Sequence, residues 1–199
     1  NYIKENPDET VPLFNTILIN VTSFFRDPPT WEYLRDEIIP KILESKKPRD
    51  EVRVWSAGCA SGEEPYTLAI LLAEAMDLQQ FSKRVKIYAT DLDEEALEQA
   101  RHARYSSRAL EAVPEQYRQK YFQTENSNFV IHPMIRRAVI FGHHDLLENA
   151  PIPRLDMLLC RNTLMYFDVE TQTRILSRFQ FALKESGFLV LGKAEMLLT

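Results

Sequence analysis

Residues Val52–Tyr66 read Val-Arg-Val-Trp-Ser-Ala-Gly-Cys-Ala-Ser-Gly-Glu-Glu-Pro-Tyr, and no other stretch restricts the fold as much. Val52, Val54 and Ser56 alternate as in a strand, Gly58 and Gly62 bracket a turn, and Leu68, Leu71, Leu72 and Ala75 mark the apolar face of a helix that begins at once. Strand, glycine turn and helix in succession open a doubly wound α/β domain, whose ligand crevice lies outside the carboxyl ends of the strands. The turn is therefore expected to floor a cofactor site.

The same rhythm continues along the chain. Val85–Thr90, Val139–Phe141, Leu155–Cys160 and Gly187–Gly192 read as further strands. Leu155–Cys160 is nearly continuous in apolar residues, as expected at the centre of a parallel sheet. Helices are expected over roughly 30–45 (Trp31, Leu34, Ile38, Ile39 and Ile42 on one face), from Asp93 as N-cap, and over roughly 169–184. A short helix with Val11, Phe14 and Leu18 is expected before them. Residues 103–137 interrupt the alternation, with a helix expected over Ala112–Phe122 and small strands at Asn128–Ile131 and around Arg136. That stretch reads as a subdomain inserted on the sheet's binding edge, locally basic through Arg101, Arg104, Arg108, Arg136 and Arg137, either as a solvated face or as a partner surface.

Composition sets the outer limits. A formal charge of -5 argues against a chain whose main task is gripping nucleic acid. No apolar run spans a bilayer, and the polar start at Asn1 is unlike a signal peptide. Two cysteines, Cys59 and Cys160, make no disulfide framework and suit a reducing compartment. A cytoplasmic protein without membrane insertion is expected. His143-His144 has no ligand partner at a useful spacing, so no metal site is assigned.

Several residues have two readings on local grounds. Asn20, Thr22 and Arg26, just before Asp27-Pro-Pro, either end a helix anchored by Phe24 and Phe25 or present polar groups to a ligand. Ser61-x-x-Glu64 fits a capping box, and Glu64 fits equally a ligand contact. Asp91 at a strand end can take both ribose hydroxyls of a nucleoside or can cap the next helix. Gly58-Cys-Ala-Ser-Gly62 is not the Gly-x-Gly-x-x-Gly of nicotinamide dehydrogenases.

Taken in order, Asn20-x-Thr22-x-Phe-Phe-Arg26, Gly62-Glu-Glu-Pro-Tyr66, Ala89-Thr-Asp91, Cys160-Arg-Asn162 and Tyr166-Phe-Asp168 resemble the chemotaxis receptor methyltransferases, the CheR family. The resemblance runs from about residue 11 to the end. It implies a class I S-adenosylmethionine-dependent methyltransferase fold, Rossmann-like, with a small inserted α/β subdomain. Residues 1–27 are then a linker or remnant of an N-terminal helical domain, and 28–199 the catalytic domain. It implies methyl transfer from S-adenosylmethionine to glutamate side chains of a chemoreceptor-like signalling protein, leaving S-adenosylhomocysteine. By position, Asn20, Thr22, Arg26 and Glu64 surround the cofactor's amino-acid end and Asp91 takes the ribose. Asp145-Leu146 reaches the adenine, Arg161 and Asn162 line the crevice, and Arg26 and Tyr166 lie nearest the transferred methyl.

The departures from the family are informative. Asp145 stands where the best-known members carry Asn, and Gly192-Lys-Ala-Glu195 replaces Gly-His-Ser-Glu. Gln123–Val130 lacks the glycine-containing loop of members that tether to a receptor's C-terminal peptide, so no such tethering is expected. Two other readings stand beside this one: a non-catalytic sensor or scaffold that binds S-adenosylmethionine, and a small-molecule methyltransferase. A glutamate with a pKa of about 4.3 is already ionised at neutral pH, so its methylation needs no general base. Cys59 and Cys160, on strands expected to be neighbours, are expected to lie together beside the crevice, where oxidation would impair cofactor binding.

Overall fold

The computed structural model describes residues 22–193 and 195; the helix expected around Val11–Leu18, and Asn20, lie outside the described residues. Pro28–Tyr33 (α1) and Ile39–Glu44 (α2) are joined by a π-helical turn, Leu34–Ile38. Pro28 sits in the first turn, where a missing N–H leaves no bond unmade. Pro40 cannot donate to the preceding turn, and the helix widens just ahead of it. Trp31, Leu34, Ile38, Ile39 and Ile42 are all buried, as their spacing predicts.

Then follow β1 (Val52–Ala57), α3 (Glu63–Ala75), α4 (Leu78–Arg84), β2 (Val85–Asp91) and α5 (Glu94–His102). The inserted region comprises β3 (Arg104–Ser106), a 3-10 turn at Arg108–Leu110, α6 (Glu115–Tyr121), β4 (Phe122–Glu125), β5 (Asn128–Ile131) and α7 (Pro133–Arg137). The chain closes with β6 (Val139–His143), β7 (Leu155–Cys160), a 3-10 turn at Leu164–Tyr166, α8 (Val169–Ala182) and β8 (Leu183–Leu191).

Among the described residues, β6-β2-β1-β7-β8 form one sheet in that order, with every pair parallel. The order reverses between β1 and β7, the switch point at which doubly wound sheets open a crevice. Every residue of β7 is buried, as its apolar run predicts. Side chains alternate across the sheet: Val52 and Val54 enter one cluster with α3, while Trp55 and Ala57 enter another with Phe179. Cys59 belongs to the first cluster and Cys160 to the second. The strands expected to be neighbours are adjacent, β1 beside β7, but the two cysteines that follow or end them pack into different layers.

The inserted region is a three-stranded antiparallel sheet, β3-β5-β4, with α6 against it. The strand expected around Arg136 is corrected to the helix α7, started by Pro133 with His132 accepting from the Met134 N–H. The helix expected from Ala112 begins at Glu115, because Pro114 supplies its entry. Phe24 meets Tyr105 and Phe122 edge-on, with centroids 4.8 and 5.5 Å apart, and Phe25 stacks on Tyr117 at 5.7 Å. The Tyr105 hydroxyl donates to the Ser61 carbonyl at 2.8 Å. The insertion thus rests on both the Phe24-Phe25 segment and the glycine turn. No helix among the described residues is long and apolar enough to cross a membrane.

Candidate active site: a crevice at the strand ends

The glycine turn is bound to the neighbouring strand, since the Gly58 and Cys59 N–H groups both donate to the Thr90 carbonyl, at 2.8 and 3.0 Å. Gly58 has φ +76°, and a Cβ there would stand 2.2 Å from Thr163 Oγ1. Glycine is required on both counts: left-handed backbone and close approach of the loop after β7. Phe25, Asp27, Ala60 and Asn162 also hold positive φ. Each costs strain that surrounding contacts must sustain, and such residues gather at functional sites.

The sequence offered Glu64 as cap or ligand contact. The capping box does not form: the Ser61 hydroxyl donates to Glu63 instead, and the helix opens at Gly62 with no side-chain cap. Glu64 is buried, with Oε1 accepting from the Ser56 hydroxyl at 2.9 Å and Oε2 facing Arg161 at 3.3 Å. Burial pushes its carboxyl above the usual range, while Arg161 and Ser56 pull it down. Carboxylate oxygens offer about four acceptor sites, so one remains on each oxygen for a further donor.

Arg161 is the hub. Its side chain is 3% exposed and lies over the Trp31 ring, 5.3 Å from the centroid. It donates to the Arg26 carbonyl at 3.0 Å and to Asp27 Oδ2 at 2.9 Å, in addition to Glu64. The segment carrying Thr22 and Arg26 is thereby fastened to the residue after β7 and, through Glu64, to the start of α3. Its Nε is buried and donates to no described residue. Arg161, expected to line the crevice, holds two loops and one carboxylate with its guanidinium.

Asp91 ends β2 with Oδ2 accepting from the Ala60 N–H at 2.7 Å and Oδ1 from the Asp93 N–H at 3.0 Å. Asp93, not Asp91, caps α5, through the Glu95 and Ala96 N–H groups. Asp145 lies beyond β6, where Oδ1 accepts from the Leu147 N–H at 2.7 Å. Leu146 is buried in the second core cluster, so a ligand would meet its main chain. Asn162 follows β7 in left-handed conformation, and Tyr166 is half-exposed at the end of the Leu164–Tyr166 turn.

Glu64, Asp91, Asp145 and Asn162 therefore follow four different strands at one end of the sheet, and Arg161 draws Arg26 to the same end. Ser56, Asp27 and Trp31 share in the network and were not read as site residues. Asp27 looked like punctuation before two prolines, and only its contact with a residue 134 positions away reveals it. Both cysteines are buried and free, and burial pushes their thiols well up. Among the described residues no group of three or more His, Cys, Asp or Glu side chains could hold a metal ion.

The residues present fit S-adenosylmethionine: a buried carboxylate with acceptor capacity faces one end of the crevice, a second carboxylate stands at the end of β2, and Gly58 keeps the floor clear. Comparison with known proteins agrees. The chain is 37% identical over 189 residues to an uncharacterised 104.1 kDa protein of Rhodobacter capsulatus, covering 95% of this chain and 20% of that one. It is 37% identical over 191 residues to a chemotaxis protein methyltransferase of Listeria innocua, covering 96% of this chain and 70% of the relative. A chemotaxis protein methyltransferase of Borreliella burgdorferi is 33% identical over 192 residues, with 94% and 68% covered. Residues 20–199 match the family described as CheR methyltransferase, SAM binding domain. The chain belongs to that family, as an S-adenosylmethionine-binding methyltransferase domain of Rossmann-like fold.

Proposed function

We propose that this domain esterifies glutamate side chains of a chemoreceptor-like signalling protein, in the cytoplasm. The observation that carries the choice of acceptor is the state of the rim: Glu64, Asp91 and Asp145 are each held by hydrogen bonds within the protein, and both thiols are buried. An acceptor that is already anionic suits such a site, and a carboxylate is one at neutral pH. The names of the Listeria and Borreliella relatives support a substrate in chemotaxis.

S-adenosylmethionine supplies an electrophilic methyl group when bound. The chain's own residues bind, orient and exclude water. We assign Asn20, Thr22, Arg26 and Glu64 to the amino-acid end, Asp91 to the ribose, and Asp145 with the Leu146 main chain to the adenine. Arg161 acts by holding Glu64, Asp27 and the Arg26 carbonyl together. Tyr166 offers a half-exposed ring and one hydroxyl at the mouth. Arg26 is cast as an orienting group, because pairing an anionic acceptor tightly in the ground state would slow a reaction that consumes charge. Orientation alone can lower a barrier by roughly 7–11 kcal/mol. The division into residues 1–27 and a catalytic unit 28–199 belongs to the same proposal.

The test is incubation with methyl-labelled S-adenosylmethionine and receptor fragments, scoring base-labile methyl ester. Arg26→Ala should lower turnover strongly and Tyr166→Phe much less. Base-stable label would overturn the reaction type, and near-wild-type rates in both variants would overturn the assignment. The β4–β5 hairpin turns tightly at Asn126, which has φ +56°. We therefore infer no tethering of a receptor tail peptide; submicromolar binding in calorimetry would contradict it.

A further inference from the structure

We propose that Gly192, Lys193 and Glu195 form a clasp that sets the two loops flanking the crevice, with Glu195 the positioning residue for Asn162–Tyr166 and Lys193 its link to the Arg26 loop. The proposal rests on the cofactor reading above and adds residues which that reading does not use.

Glu195 is buried, and its carboxylate accepts from three main-chain donors. Oε1 accepts from the Thr163 N–H at 2.6 Å and the Leu164 N–H at 2.7 Å. Oε2 accepts from the Gly192 N–H at 2.6 Å, and the Glu195 N–H closes the turn onto the Gly192 carbonyl at 3.1 Å. Thr163 and Leu164 start the short 3-10 turn that ends at Tyr166, so a carboxylate from beyond β8 caps the turn that presents Tyr166. Charged acceptors make stronger bonds than neutral ones. Gly192 admits no side chain here: a Cβ would lie 2.8 Å from Glu195 Oε2 and 3.0 Å from the Asn162 N.

The second half of the clasp is ionic. Lys193 Nζ stands 3.3 Å from Asp27 Oδ1, while Arg161 occupies Asp27 Oδ2 at 2.9 Å. A ring of contacts results, running Arg161, Asp27, Lys193, Gly192, Glu195, Thr163 and back along the chain through Asn162. Asn162 is the strained residue inside it, at φ +60°. Its left-handed backbone is held from one side by Glu195 and from the other by the anchored Arg161. The lysine is 71% exposed, so its share is small and screened by salt.

The test uses the full chain with S-adenosylhomocysteine as probe, which separates binding from turnover. Glu195→Gln keeps shape but sets an amide NH2 against a main-chain donor; affinity should fall about tenfold, the equivalent of one charge-assisted bond. Hydrogen exchange should quicken in a peptide covering 160–168 while β1 and β2 stay protected. Lys193→Ala should weaken binding by about twofold at low salt and less at high salt. Wild-type affinity in Glu195→Gln would overturn the clasp, as would exchange that quickens equally across the central strands. If the wild-type chain itself fails to bind S-adenosylhomocysteine, the cofactor reading falls and the clasp with it.

Discussion

A carboxylate buried against an arginine, a hydroxyl and the first turn of a helix is pulled two ways, and Glu64 is such a group. Burial raises its pKa from the ordinary 4.5, opposed by Arg161 and Ser56, and burial raises that of Glu63 in the same direction against Ser61. Raised folded-state values mean that the folded chain holds protons which the unfolded chain has released. Their contribution to stability is full below about 4.5 and is lost as pH rises through the raised values. An ammonium beside Glu64 acts oppositely, because it favours the ionised form. Binding of S-adenosylhomocysteine should therefore release protons in that window, and affinity should increase with pH across it. Calorimetry in buffers of different ionisation enthalpy checks this; Glu64→Gln should abolish the release and weaken binding about tenfold or more. Proton uptake on binding would remove Glu64 as the acceptor. Its role was not legible locally, since Ser61-x-x-Glu64 satisfies a capping pattern. In the structure Ser56 and a guanidinium 97 residues away hold it in place of the capping box.

Between elements, the segment before α1 does more than lead into the domain. Phe24 is fully buried, with its ring against Tyr105 of β3 and Phe122 of β4, and the Phe25 N–H donates to the Thr67 hydroxyl on α3. The insertion and the Arg26 loop thus share one aromatic joint. Phe24→Ala should cost about 3–5 kcal/mol by emptying it. It should also weaken S-adenosylhomocysteine binding in the folded fraction, because Arg26 is two residues away; denaturant titration with and without ligand separates the effects. Loss of stability with unchanged affinity would show that the joint carries no information to the site. The long parallel strands were legible because buried strands leave continuous or alternating apolar runs. β3, three residues long, and α4, seven, were not read, since such short elements hold only by contact with their neighbours.

At the scale of the molecule, the sheet has two unlike ends. Acidic and strained residues gather beyond the carboxyl ends of β1, β2, β6 and β7. Near the start of β7, Asp156 is buried and binds Lys46 at 2.6 Å, Lys184 at 2.7 Å and the Arg53 N–H at 2.9 Å. Lys46 is 7% exposed and Lys184 37%. Burial pushes the Lys46 ammonium down despite Asp156, so the charge is held there at a cost. A depressed folded-state value contributes stability above the ordinary 10.5 and loses it as pH falls through the folded value, which places Lys46 at a disadvantage at neutral pH. Asp156→Ala strips two ammonium groups of their partner and should destabilise by about 3–5 kcal/mol. Lys46→Met removes one of two ammonium partners but leaves Lys184 on Asp156, so it should destabilise less than Asp156→Ala does. Urea titration of both variants checks the order. S-adenosylhomocysteine affinity should stay at the wild-type level in both, because the length of the strands separates this end from the crevice. A Lys46→Met chain less stable than Asp156→Ala would mean that the lysine, not the aspartate, organises the cluster.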